Sequence, residues 1–323
     1  MKWSLAIATY HRPASLQKCL EFAMGQTRPP DEIVIVDASD DWQANRQIAQ
    51  SIFENVLYLP ATIRGLTSQR NQLLQWTTGD VIFLMDDDSF MHASCAAEII
   101  KIYEADVDRQ VAGVGAVQTL SYPGAAFNAA MQSGDSSMAR RLISRVRNLF
   151  ERELYTEALL LPYDEKYPDH PIPSNLAHLN IGAARYFDGF RMTFRRDIIS
   201  RVGFDESLRK YASAEDMDAS YRASRFGALV NAYDAKVFHD KSPIERLSRY
   251  TRELLGHLNL AYLYCIKGHD PQSMMKKYRT KLSRRMIVDT IRDISKKRFT
   301  LPCARADLRT ILMLRNMMQG CQD

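Results

Sequence analysis

The chain has 323 residues, of which 46% are hydrophobic and 25% are charged. These proportions are typical of a globular protein, and they exclude the collagen-like, low-complexity and globally disordered classes. No apolar run approaches the roughly 20 residues of a membrane-spanning helix, and the run at residues 3–8 is too short for a signal peptide. We therefore expect a cytoplasmic protein.

The net charge of +5 is unevenly distributed. Residues 242–323 contain 17 Lys and Arg against 7 Asp and Glu, whereas residues 1–241 contain 26 against 31. We therefore predict one domain over residues 1–241 and a separate basic, helical extension over residues 242–323. The five cysteines are scattered without a C-x-x-C pair, which predicts isolated thiols rather than disulfides or a zinc site.

Runs of Val, Ile and Leu alternate with amphipathic stretches through the first hundred residues. The runs predict strands at 3–8, 33–36, 56–59 and 81–85, and the stretches between them predict helices at 16–24, 43–53 and 66–76. Continuous apolar strands separated by helices indicate an α/β fold with a mostly parallel sheet covered on both faces. Ligands bind such sheets at the carboxyl ends of the strands, where Asp37 and the run Asp86-Asp87-Asp88 are placed.

The pattern weakens after a fifth predicted strand at 111–118. Residues 120–188 contain loops and a basic helical stretch at 140–153, and we interpret them as an insertion that provides acceptor contacts. A strand at 190–194, helices from 196 and from about 214, and two short strands at 229–233 and 236–239 follow.

Asp86-Asp87-Asp88 is the first candidate site. Three adjacent carboxylates repel one another unless a cation lies among them, and Mg²⁺ or Mn²⁺ prefers carboxylate oxygen. Strand alternation places Asp86 and Asp88 on one side and Asp87 on the other. The alternative is a solvated acidic turn or a helix N-cap.

Three further carboxylates and a histidine each have an ordinary structural role or a role in a functional site. Glu215 and Asp216 begin a predicted helix, where they interact favourably with the helix dipole or one of them acts as a general base. His239 ends a short strand, as an ordinary polar residue or as a metal ligand. Asp37 ends the second strand, where a turn residue is the simpler interpretation.

Taken in order, these features resemble the family 2 glycosyltransferases, which have the GT-A fold. The resemblance covers about residues 3–240 and rests on an ordered set of short segments. They are 7–13 (IATYHRP), 32–39 (EIVIVDAS), Arg70-Asn71, Gly79-Asp80, the aspartate run, 203–206 (GFDE) and Glu215-Asp216. His11 and Ala38 depart from the family pattern. The resemblance divides the predicted domain into a nucleotide-sugar half, 1–118, and an acceptor half, 119–241.

The resemblance also implies roles for individual residues. Asp86, Asp88 and His239 would bind Mn²⁺ or Mg²⁺, Asp216 would be the catalytic base, and Glu215 would hold a sugar. The predicted nucleotide-sugar contacts are Thr9, Tyr10, Arg12, Asp37, Arg70, Asp80, Asp86 and Asp87.

The implied activity is an inverting transfer of one sugar from a nucleotide-sugar to a hydroxyl of a glycan or lipid-linked acceptor, in polysaccharide or glycoconjugate synthesis. A carboxylate can accept the N3 proton of uracil or thymine, so Asp37 would favour a UDP- or dTDP-sugar. The Gln-x-x-Arg-Trp motif of processive members is absent from the sequence. A nucleotidyltransferase and an inactive glycan-binding module are the alternatives. The Gly-rich phosphate loop that a nucleotidyltransferase has after its first strand is absent from this sequence.

The basic extension has two interpretations. It is a solvated helical face, or it contacts an anionic membrane surface or anionic acceptor. No nucleic-acid partner is expected.

Overall fold

The computed structural model describes residues 1–124, 166–208, 212–240 and 247–320. These residues form two compact units, the first from residues 1–124 and 167–240 and the second from residues 247–320. The predicted basic helical stretch at 140–153, and with it much of the predicted insertion, lies outside the described residues. The predicted domain limits at residues 118 and 241 stay a prediction.

One sheet organises the described part of the first unit. Its strands run in the order β3-β2-β1-β4-β8-β6-β9-β5, with β7 also paired to β9. They are β1 (Trp3–Thr9), β2 (Glu32–Asp37), β3 (Leu57–Pro60), β4 (Val81–Asp86), β5 (Ser89–Met91), β6 (Val111–Thr119), β7 (Ile181–Ala183), β8 (Met192–Arg195) and β9 (Ala228–His239). Neighbours β1–β2, β1–β4, β2–β3 and β6–β9 are parallel, whereas β8, β5 and β7 pair antiparallel.

Helices cover both faces of this sheet. They are α1 (Pro13–Met24), α2 (Trp42–Ile52), α3 (Leu66–Trp76), α4 (Cys95–Ala105), α5 (Arg196–Val202) and α6 (Glu215–Ala223). In β4, Phe83 packs in a core with α1 and α4, while its neighbour Leu84 packs in a second core with α3, α5 and α6. Because successive side chains of a strand point to opposite faces, two cores require strands that are apolar throughout.

The predicted α/β class with a mostly parallel sheet is confirmed. Two details differ from the prediction. The expected strands at 229–233 and 236–239 are one strand, β9, whose pairing with β6 shifts register between Ala116 and Val117. Strands β5 and β7 were not predicted, because a strand of three residues is too short to show a periodic pattern.

The second unit contains three helices in its described part, α7 (Arg249–Lys267), α8 (Pro271–Ser295) and α9 (Pro302–Gly320), as the helical pattern predicts. Ser248 and Asp270 cap α7 and α8 by accepting hydrogen bonds from the backbone of Thr251 and Ser273. No helix among the described residues has the length and apolarity needed to cross a membrane.

Three acidic side chains of the second unit point inward. Asp289, Asp293 and Asp307 are fully buried. Arg285 contacts Asp289 at 3.0 Å and Glu253 at 3.0 Å, so buried charges are neutralised within the unit.

Among the cysteines that the structure describes, the prediction of isolated thiols was wrong for Cys265. Cys265 is disulfide-bonded, whereas Cys19, Cys95 and Cys303 are free and buried. The wide spacing of the cysteines gave no indication of this bond.

Candidate active site

Asp86, Asp88 and His239 meet at the carboxyl edge of the sheet. Strand β4 ends at Asp86, the chain turns, and β5 then pairs antiparallel with β9 so that Ser89 lies opposite His239. The backbone N–H of Asp240 donates to the carbonyl oxygen of Asp88 at 2.9 Å. This pairing places Nε2 of His239 3.1 Å from Oδ1 of Asp88. One ligand atom from each of the three side chains lies within 4.8 Å of the others.

Asp87 is directed away from this group. Its carboxylate accepts a hydrogen bond from the Thr9 hydroxyl at 2.7 Å and from the Arg12 guanidinium at 3.2 Å. Burial raises the pKa of Asp87 to about 7, and the Arg12 charge opposes this shift. Thr9, Arg12 and Asp87 thus form one buried cluster beside Asp88, which Arg12 also approaches at 3.8 Å.

Two simpler interpretations of the aspartate run do not fit. Asp87 and Asp88 are buried, so the run is not a solvated turn. The next helix, α4, begins only at Cys95, so Asp88 does not cap it. A buried carboxylate is costly unless an opposite charge neutralises it, and Arg12 at 3.8 Å is the positive charge nearest Asp88. Asp86, Asp88 and His239 together could also hold a metal ion.

Arg70 of α3 lies inside the protein, with 2% of its surface exposed. Its guanidinium contacts Glu215 at 2.6 Å, Asp86 at 3.1 Å and the carbonyl oxygen of Gly189 at 3.0 Å. Glu215 is also buried. The predictions that Arg70 contacts the donor and that Glu215 holds a sugar do not fit these positions. Arg70 instead connects Asp86, at the carboxyl edge of the sheet, to Glu215 at the start of α6.

Asp216 follows Glu215 in α6 and is partly exposed. Its carboxylate accepts hydrogen bonds from the backbone N–H groups of Gly189 and Met217, each at 2.8 Å. Burial raises the pKa of Asp216, and the charge of Arg70 opposes this. The next residue along from Gly189 is Phe190, whose ring stacks on His239 at 4.3 Å between centroids. Asp216 is therefore held close to the edge of the sheet where His239 lies.

Gly189 and Phe190 were not singled out in the sequence. Their role depends on contacts with α3, α6 and β9, and neither residue belongs to a motif. A methyl group added at Gly189 would lie 2.9 Å from Nη2 of Arg70 and 3.2 Å from Oε1 of Glu215, so a side chain there would crowd the ion pair.

Asp37 is buried and its carboxylate is fully used within the protein. One oxygen accepts from the backbone and hydroxyl of Ser39, at 2.7 and 2.5 Å. The other accepts from the amide of Asn45 at 2.9 Å and the hydroxyl of Tyr58 at 2.6 Å. A carboxylate has about four acceptor positions, so none remains for a nucleotide base. The prediction that Asp37 binds a pyrimidine does not fit this structure.

Asp80 lies at the wrong end of its strand. It directly precedes β4, whereas Asp86 ends it, and six strand residues separate their positions by about 20 Å. Its carboxylate accepts a hydrogen bond from the backbone N–H of Lys2 at 2.8 Å. Asp80 is therefore not a donor contact.

Tyr10 and His11 lie in the loop after β1. The Tyr10 ring is partly exposed and packs against His11, 4.2 Å between centroids, with Arg64 above it at 5.6 Å. His11 has a positive φ of 52°. Asn and His tolerate this conformation better than most residues, which explains how His11 replaces the Asn that is common here in the family. The role of Tyr10 in nucleotide binding stays a prediction.

Comparisons with known proteins identify similar sequences and similar folds. Residues 4–123 match the model of the family described as "Glycosyl transferase family 2". A segment of 117 residues is 28% identical to a glucosyl-dolichyl phosphate glucuronosyltransferase of Haloferax volcanii, covering 35% of this chain. The matched segment is 37% of the length of that relative.

Two solved structures have a similar fold. One is the mannosyltransferase PcManGT from Pyrobaculum calidifontis in complex with GDP-Man and Mn²⁺, with a TM-score of 0.55, 15% identity, and coverage of 97% of this chain and 86% of that one. The other is a mycobacterial protein with a TM-score of 0.50, 12% identity, and coverage of 82% and 74%. At these identities the likeness concerns the fold alone. Residues 4–123 of this chain thus match the glycosyl transferase family 2 model, and the fold is of the GT-A type.

Proposed function

We propose that this protein is an inverting glycosyltransferase that moves one sugar from a nucleoside-diphosphate sugar to an acceptor hydroxyl. The observation that carries the proposal is the meeting of Asp86, Asp88 and His239 at the carboxyl edge of the sheet, beside the partly exposed carboxylate of Asp216. The family match over residues 4–123 supports the same activity.

Asp86, Asp88 and His239 suit a divalent cation such as Mn²⁺ or Mg²⁺. Two carboxylates and an imidazole are ligands that these ions accept in proteins. Two ligands on opposite sides of one Mg²⁺ are about 4.2 Å apart. Adjacent ligands are about 3 Å apart. The three ligand atoms here lie within 4.8 Å of one another, which is close to this range. When bound, the cation would neutralise charge on the departing nucleoside diphosphate.

Asp216 is the residue best placed to take the acceptor proton. Two backbone N–H groups fix its carboxylate, and its partial exposure leaves it accessible to a substrate hydroxyl. As the hydroxyl attacks the anomeric carbon, Asp216 accepts its proton, while the diphosphate leaves from the opposite face of the sugar. One displacement with one base inverts the anomeric configuration. Buried Glu215 and Arg70 hold this part of α6 in place rather than touching substrate.

The donor nucleotide is not set by Asp37, because its carboxylate has no acceptor position left. The similar solved structure contains GDP-Man, so we include GDP-sugars beside UDP- and dTDP-sugars among the candidate donors. The curated relative is named for a glucosyl-dolichyl phosphate, which supports a lipid-linked glycan as the acceptor class. The absence of the processive motif supports a single addition.

Donor turnover tests the proposal. The full chain is incubated with UDP-, dTDP- and GDP-sugars, with Mn²⁺ or with EDTA, and released nucleoside diphosphate is measured. Asp88→Asn and Asp216→Asn should each lower the rate by at least about 100-fold. Asp80→Asn is the matched control and should leave the rate unchanged, since Asp80 lies at the other end of β4.

Three outcomes would contradict the proposal. Metal-dependent formation of pyrophosphate would indicate a nucleotidyltransferase. Tight Mn²⁺ binding without turnover of any donor would indicate a glycan-binding module. Near-normal turnover by Asp216→Asn would remove this residue as the base. Calorimetry with Mn²⁺ alone tests the ligands independently of activity, because Asp88→Asn should weaken binding by at least about tenfold.

A further inference from the structure

Helix α8 of the second unit has an outward face that is apolar along its C-terminal half. Ile287, Ile291 and Ile294 are 55%, 57% and 52% exposed. Residues at spacings of four and three lie on the same side of a helix, so the three side chains form one stripe. Phe299, four residues beyond the end of α8, is 77% exposed. We call these four residues the isoleucine stripe.

The opposite side of α8 forms the core of the unit. Met275, Tyr278 and Leu282 are fully buried there, together with Asp289 and Asp293. The helix is therefore already anchored by one apolar side, and the isoleucine stripe is not needed for that packing. Beta-branched isoleucines lower the helix propensity slightly, so they do not serve α8 itself.

The exposed charged side chains around the isoleucine stripe are all positive. Residues 271–300 contain two acids, Asp289 and Asp293, and both are fully buried. Exposed cations lie beside the stripe, with Arg284 about one turn before Ile287 and Lys296-Lys297 between Ile294 and Phe299. Lys276 and Lys277 are exposed nearer the N-terminus of the same helix. The surface of α8 is thus apolar and cationic, without an exposed acid.

From this surface we infer that the isoleucine stripe and its flanking lysines dock the protein on an anionic membrane surface. Helices that lie in the membrane interface combine exposed large apolar side chains with Lys and Arg at their borders. The apolar side chains enter the boundary between headgroups and acyl chains, and the cations remain among anionic headgroups.

A second copy of the chain is a poorer occupant. In a two-fold symmetric contact the same surface faces itself. The cations beside the stripe would then face cations, and α8 has no exposed acid to pair with them. A nucleic acid would satisfy the cations and leave the isoleucines exposed. An anionic lipid surface satisfies both features.

This inference does not depend on the proposed catalytic activity, because it concerns the second unit alone. Vesicle flotation with the full chain tests it, using phosphatidylcholine vesicles with and without about 30% phosphatidylserine. Each lysine near an anionic surface strengthens binding about fivefold. We expect binding to the anionic vesicles that weakens as salt rises, with little binding to phosphatidylcholine alone.

Two variants separate the apolar and charged contributions. I287Q/I291Q/I294Q keeps good helix formers on an exposed face, and it should weaken binding at least about tenfold. K296Q/K297Q should weaken it to a similar extent. Their matched controls are I63Q, at another exposed isoleucine, and K18Q/K101Q, at exposed lysines of the first unit, and both should bind as the wild type does.

Several results would overturn the inference. The wild type would bind equally well to both vesicle types, or I287Q/I291Q/I294Q would bind as well as the wild type does. A wild-type dimer in sedimentation velocity that the isoleucine variant abolishes would assign the stripe to a subunit interface instead. Because the substitutions lie outside the site of the first unit, donor turnover should be unchanged, so failure here is distinguishable from failure of the proposed activity.

Discussion

Replacement of Arg70 by methionine is the sharpest test of how the site is held together. Methionine keeps the length of the side chain and removes the charge. Glu215, buried and 2.6 Å from the guanidinium, would then be left without its partner, while Asp86 can still reach water. Breaking a buried ion pair from one side costs about 3–5 kcal/mol. We therefore expect the midpoint of thermal unfolding to fall by about 10 °C or more.

A double-mutant cycle distinguishes the pair from a general packing defect. Urea unfolding is measured for Arg70→Met, for Glu215→Gln and for the double variant. Because the double variant leaves no orphaned buried charge at Glu215, it should be more stable than the sum of the single changes by at least about 1 kcal/mol. Arg64→Met, at an exposed arginine paired with exposed Asp40, is the control and should cost less than about 1 kcal/mol. Additive effects at positions 70 and 215 would refute the argument.

Three further predictions concern the same unit. Gly189→Ala should lower the initial rate of turnover at least about tenfold, because its methyl group would crowd the Arg70–Glu215 pair. Gly25→Ala is the control and should leave the rate unchanged, since an added methyl group there would lie 3.4 Å from its nearest neighbour. Asp37→Asn should lower the free energy of unfolding in urea by about 2–4 kcal/mol, since an amide cannot accept all four hydrogen bonds. A changed nucleotide preference at unchanged stability would instead indicate that Asp37 contacts the donor nucleotide. Burial raises the pKa of Asp216, so its carboxylate becomes protonated, and stops acting as a base, at a higher pH than an ordinary aspartate does. The fall of kcat/KM on the acidic side should therefore have its midpoint above about pH 4. A midpoint at or below about pH 4 would contradict this.

The alternation of strands and helices could be predicted from sequence because burial on two faces requires continuously apolar strands. The two cores on either side of β4 are the physical cause of that pattern. The same reasoning places the aspartate run at the carboxyl edge of the sheet, since strand polarity follows from chain order. It also places Asp80 at the amino end of β4, and the expectation from family resemblance was wrong there.

The tertiary structure alone decided which candidate side chains meet at one edge of the sheet and which are buried. The pairing of β5 with β9 brings His239 to Asp88, and a three-residue strand has no sequence pattern. Asp37 and Arg70 are both candidate ligand contacts in the sequence, yet both are buried and bonded to other side chains, Asp37 to Ser39, Asn45 and Tyr58 and Arg70 to Glu215. Residue type and strand position are local properties, whereas burial and hydrogen-bond saturation depend on what the rest of the chain places around a side chain.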